Sequence, residues 1–120
     1  IYKYMKKYIW KKDAINHAKK CDPEESCGVV AIKNNKEIYF PCKNISAQLK
    51  AESFVIDPLD YADVEDSVDE IIGIVHSHPQ DILEFSENDK YSCKAINLVF
   101  YLVSPKSDKM AVIKPDEIDA

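Results

Sequence analysis

The sequence predicts a single α/β domain of the α+β type, with one mixed or antiparallel sheet and helices packed against it. Three observations carry this. Apolar residues recur at helical spacing early in the chain. Two runs of apolar, β-branched and aromatic residues flank Asn34-Asn35, and a continuous apolar run occupies residues 71–75. A chain of 120 residues is one domain's worth. A domain near this length buries roughly two thirds of its unfolded surface and needs no disulfide staples. Residues 1–9 read as an N-terminal extension and residues 10–120 as the domain.

The elements follow in order. Trp10, Ala14, Ile15 and Ala18 recur at helical spacing with lysines between them, so residues 10–20 read as an amphipathic helix, ended by Asp22-Pro23. Residues 27–32 and 37–42 form two strands joined across Asn34-Asn35, a hairpin signal. Residues 53–56 read as a third strand. Asp57 then reads as an N-cap with Pro58 at the first helical position, opening an acidic helix to about Asp69. The run 71–75 is expected to be a strand buried on both faces. Ser86 to about Ala95 reads as a helix, and residues 97–103 and 110–113 as strands.

Composition narrows the function classes. Apolar residues make up 46% of the chain, which is ordinary for a globular domain and excludes disorder. No apolar run approaches the ~20 residues needed to span a bilayer, and five lysines in the first twelve residues break up any secretory core. The net charge is −5, and all sixteen basic residues are lysine. Residues 1–20 carry +6 and residues 51–90 carry −11. Without arginine the bidentate reading of phosphate or guanine is missing, and the acidic middle repels nucleic acid. No nucleic-acid partner is expected. Cys21, Cys27, Cys42 and Cys93 form no C-x-x-C pair, and reduced thiols in a cytoplasmic protein are expected, with Cys27 and Cys42 in the core.

The chemistry concentrates in His76-Ser77-His78-Pro79, followed after six residues by Ser86 and after two more by Asp89. His76 and His78 stand two apart at the end of a strand, so both imidazoles point to one side. Pro79 turns the chain away, and Asp89 falls in the first turn of the next helix, where the loop can fold it back. Two histidines and a carboxylate make three protein ligands. A fourth position left to water is the arrangement of a catalytic zinc, which lowers its water's pKa towards ~7. The bland reading of Ser86 and Asp89 is a capping box, which needs no metal. Capping and catalysis are compatible, however. The fixed positions together arise by chance on the order of once in a hundred thousand chains of this length, so the functional reading is preferred. A hydrolytic zinc also needs a proton acceptor. Pro23-Glu24-Glu25-Ser26-Cys27-Gly28 offers two carboxylates at the entrance to the first strand, and from spacing alone either is an ordinary loop acid.

P-E-E-S-C-G joined to H-S-H-P-x6-S-x2-D resembles the JAMM (MPN+) family of zinc metallopeptidases. The segments Cys42-Lys43-Asn44-Ile45-Ser46 and Phe54-Val55-Ile56-Asp57-Pro58-Leu59-Asp60-Tyr61, with Gly73-Ile74-Val75 leading into the histidines, extend the likeness over residues 12–105. They resemble the N-terminal domains of tail assembly proteins of lambda-like phages. The resemblance implies a mixed sheet sandwiched by helices in a cytidine-deaminase-like architecture, and one zinc ion held by His76, His78 and Asp89. It further implies Glu25 as general base and Ser86 as the group that steadies the oxyanion, with His17 structural. The implied substrate is a peptide or protein, such as a peptidoglycan stem peptide or a tail protein. Phage relatives of this kind continue into an NlpC-type cysteine peptidase domain, which residues 1–120 do not include. Only seventeen positions separate His78 from Ile96, leaving no room for the insertions of deubiquitinases. The alternatives are a non-catalytic assembly module on the same fold, or processing of a ubiquitin-like or sulfur-carrier protein.

Overall fold

The computed structural model describes residues 8–119. Most of the expected N-terminal extension, residues 1–7, lies outside the described residues. The elements run α1 (Lys11–Cys21), β1 (Cys27–Lys33), β2 (Lys36–Cys42), α2 (Pro58–Ser67), β3 (Glu70–Ser77), α3 (Glu87–Ile96), β4 (Val99–Val103), β5 (Met110–Ile113) and a short 3-10 turn at Pro115–Glu117. Five strands form one sheet in the order β2-β1-β3-β4-β5. Only β3 and β4 run parallel, with α3 as the crossover between them. The sheet is therefore mixed. No described helix is long and apolar enough to cross a membrane.

Strand alternation gives the sheet two apolar faces. On one, Val30, Tyr39, Val75, Tyr101 and Val103 pack against Ala14, Ile15 and Ala18 of α1 and against Trp10 at its N-cap. On the other, Cys27, Val29, Ala31, Ile74 and Phe100 pack with Val64 of α2 and Cys93 of α3. The helices thus sandwich the sheet. Asn34 and Asn35 both take positive φ, 53° and 65°, as a two-residue hairpin turn requires. Asp57 caps α2 by accepting from the Leu59 N–H at 2.9 Å.

The expected third strand at residues 53–56 does not form. A single β-bridge joins Ile56 to Asn44, and the backbone bonds nearby go to Lys43 and Ile45. Phe54 and Ile56 pack on the α2–α3 face of the core while Val55 is exposed. The alternation in the sequence is real, but it reflects burial of Phe54 and Ile56 against the core and not pairing along a ladder. Asn97, expected in a strand, instead ends α3 in the left-handed conformation with φ 62°.

Gly28 is required by close approach. A Cβ there would lie 2.5 Å from the Tyr39 ring, which is buried, stacked with Trp10 and tied through its hydroxyl to His17 Nδ1 at 2.6 Å. Gly28→Ala is expected to cost about 1–3 kcal/mol through overpacking, read as a lower midpoint in urea unfolding.

Candidate metal centre

β3 delivers the two histidines. His76 pairs in register with Cys27 of β1 and Leu102 of β4, so its ring is fixed near the C-terminal end of the central strand and is wholly buried. His78 lies just past the strand, its N–H bonded to the Val103 carbonyl at 3.2 Å. Its Nδ1 meets the Ile82 carbonyl at 2.8 Å. A carbonyl can only accept, so Nδ1 carries a proton, and in the neutral ring the lone pair is then on Nε2.

α3 delivers the aspartate. Ser86 is the N-cap and Asp89 the third helical residue of a reciprocal capping box: Ser86 Oγ accepts from the Asp89 N–H, and Asp89 Oδ2 accepts from the Ser86 N–H, both at 3.0 Å. That box aims the carboxylate at the histidines. Asp89 Oδ1 stands 3.5 Å from His76 Nε2, and Oδ2 stands 3.6 Å from His78 Nε2. Cap and candidate ligand are thus one side chain. Burial pushes the Asp89 carboxyl up, but His78, His76 and Ser86 outweigh it and hold it below its ordinary range. Burial pulls His78 down, yet Asp89 and the Ile82 carbonyl leave it raised.

Glu25 comes from the turn before β1. Its N–H donates to the Lys50 carbonyl at 2.7 Å, and its carbonyl accepts from Asn44 Nδ2 at 3.1 Å. The next residue is held too: the Ser26 N–H donates to Ser77 Oγ at 2.8 Å, and the Ser77 N–H to the Ser26 carbonyl at 3.1 Å. Glu25 is only 5% exposed, and its Oε1 lies 3.6 Å from His76 Nδ1. One ligand atom each from Glu25, His76 and His78 falls within a mutual 4.8 Å, so this group could hold a metal ion. Ser77→Ala would leave the Ser26 N–H, on a residue 1% exposed, without its acceptor. The expected cost is about 1–3 kcal/mol, seen as a lower urea midpoint at unchanged slope.

Of the expected residues, Glu25, His76 and His78 fall within one 4.8 Å group that does not include Asp89, while Asp89 faces both histidine rings at 3.5 and 3.6 Å and Ser86 is joined to it through the cap. Glu24 is exposed and faces a separate pocket beside His17 and Cys21. His17 serves Tyr39 on the α1 side of the sheet. A cavity of about 740 Å³ opens onto Glu25, His78, Ser86 and Asp89 and continues as a groove lined by Phe54, Ile56, Tyr61, Ile74, Ile96 and Phe100.

The donor set could hold a metal ion. Both nitrogens of the buried His76 ring lack a hydrogen-bond partner, and its flanking carboxylates stand 3.5 and 3.6 Å away, too far to bond. An unsatisfied buried imidazole costs about 1–3 kcal/mol, and a cation bonded to one of its nitrogens and to a neighbouring carboxylate would offset part of that cost.

Residues 10–114 match the family described as prokaryotic homologs of the JAB domain. The tail tip assembly protein K of Escherichia phage N15 is 43% identical over 99 residues, which are 82% of this chain and 40% of that protein. The chain thus spans well under half of that relative's length. The solution structure of protein DSY2949 from Desulfitobacterium hafniense superposes with a TM-score of 0.67 at 24% identity, covering 91% of this chain and 83% of that one. AF2198, a JAB1/MPN domain protein from Archaeoglobus fulgidus, superposes at 0.56 with 18% identity over 89% and 85% of the two chains. The two structural likenesses show the fold, and the family match and the phage relative show the family.

Proposed function

The chain belongs to the prokaryotic homologs of the JAB domain, and from that premise we propose that it is a zinc-dependent hydrolase of amide or isopeptide bonds. The observation that carries this reading is His76, fully buried with neither nitrogen bonded and a carboxylate beside each. His76 Nε2, His78 Nε2 and Asp89 would hold the zinc. Glu25 lies within 4.8 Å of both histidines, but Asp89 is preferred as the third ligand because its two oxygens face the Nε2 atoms of both rings, whereas Glu25 approaches His76 at Nδ1. Bound zinc would supply Lewis-acid polarisation of the scissile carbonyl and of the attacking water.

The chain's own residues do the rest. Glu25 accepts the water's proton at its carboxylate and returns it to the leaving amine. Ser86 Oγ accepts from a backbone N–H, so its hydroxyl proton is free to donate to the oxygen that gains charge. The apolar groove seats side chains of the substrate and excludes water from the reacting bond. The likeness to a phage tail tip assembly protein supports a role in tail assembly, and the proposed substrate is a peptide or protein met there. A non-catalytic module of the same fold requires none of these five side chains to converge. The test is to incubate the zinc-loaded protein with purified peptidoglycan and a mixed peptide panel and count new amine termini. Release that needs zinc, stops with a chelator and is absent in Glu25→Gln is expected. No release from any substrate would move the assembly-module reading to the front.

A further inference from the structure

Asn44 lies outside the five residues above, yet its carboxamide makes four hydrogen bonds. Its Nδ2 donates to the Glu25 carbonyl at 3.1 Å and to the Ser53 carbonyl at 3.0 Å. Its Oδ1 accepts from the Ser46 N–H at 3.0 Å and the Val55 N–H at 3.1 Å. This is the full complement of an amide. The partners also fix its orientation, since carbonyls only accept and backbone N–H groups only donate. Two of these partners belong to Ser53 and Val55, which line the groove and flank Phe54, the ring stacked on His76 at 4.6 Å. A third is the backbone of Glu25 itself.

We propose that Asn44 is the positioning residue for Glu25, fastening the groove wall and the proton acceptor into one unit. The inference rests on the hydrolase reading for its chemical meaning but not for its geometry. Glu25 precedes β1, where no ladder bond constrains it. Its placement depends on the Lys50 carbonyl, on Ser77, whose Oγ and N–H both hold the next residue, Ser26, and on Asn44. Of these, Asn44 alone also binds the segment against which a peptide would lie. A substrate seated on that wall therefore meets Glu25 at a fixed offset, which is the preorganisation that proton transfer requires.

Two variants separate the halves of this clamp. Asn44→Asp keeps an acceptor for the Ser46 and Val55 N–H groups but replaces both donors with an oxygen facing two carbonyls. Asn44→Ala removes everything. Backbone amide exchange by NMR is expected to show the Glu25 amide exchanging at least tenfold faster in both variants. The Ser46 and Val55 amides should stay protected in Asn44→Asp and lose protection in Asn44→Ala, while amides of β1 and β3 in the core report that the fold is intact. In cobalt(II)-loaded protein, the visible spectrum of Asn44→Asp should move towards that of Glu25→Gln, a change that a merely structural residue would not cause. An unchanged Glu25 amide, or a cobalt spectrum identical to wild type, overturns the proposal. If the wild type takes up no cobalt, the metal reading fails by itself, and the amide pattern still decides for or against the clamp.

Discussion

Glu25→Gln is expected to keep one zinc per chain while losing hydrolysis by about two to four orders of magnitude, the usual contribution of a positioned acid–base group. Gln has the same shape, so the packing of this nearly buried side chain is retained. The amide cannot take a proton from water at neutral pH, so the acceptor is lost and little else. Asp89→Asn should do the opposite and lower zinc content, because a neutral amide oxygen is a far poorer ligand than a carboxylate facing both Nε2 atoms. The pair of variants decides between the two sets of side chains that geometry brings together. Loss of zinc in Glu25→Gln would make Glu25 a ligand, as its place within 4.8 Å of both histidines permits. Full activity in that variant would show that another group accepts the proton.

Metal removal should have the largest effect on stability. The metal-free protein holds a buried imidazole with two unbonded nitrogens between two carboxylates. A ligand that binds only the native state at a thousand times its Kd stabilises by about 4 kcal/mol. For a domain of this size that corresponds to roughly 15 °C in thermal midpoint. Chelation of the zinc-loaded wild type is therefore expected to lower the midpoint by about that amount, read by calorimetry. His76→Ala/His78→Ala should start lower and be indifferent to chelator. An equal midpoint with and without chelator in the wild type would mean that no stabilising metal binds.

Much of this was legible in the sequence, for identifiable reasons. The α1 helix, the Asn34-Asn35 hairpin and the Asp57 cap are local, written in spacing and turn chemistry within a few residues. The convergence of His76, His78 and Asp89 was legible because a strand end, a proline and a helix start leave few ways to arrange three side chains. Glu25 was legible only through family resemblance, since its partner strand lies fifty residues away. Residues 53–56 misled because alternation reports burial and not the partner. Ser77 and Asn44 were missed as supports because their roles exist only once distant backbone groups meet them. The signal was present, as both sit inside the quoted motif segments.

The most direct test of the metal centre is the zinc content of the purified protein by elemental mass spectrometry, beside His76→Ala/His78→Ala. About one zinc per wild-type chain, lost in the double variant, is the expected result. No zinc in the wild type, even after it is supplied, would contradict the account and leave Ser86 and Asp89 as a helix cap alone.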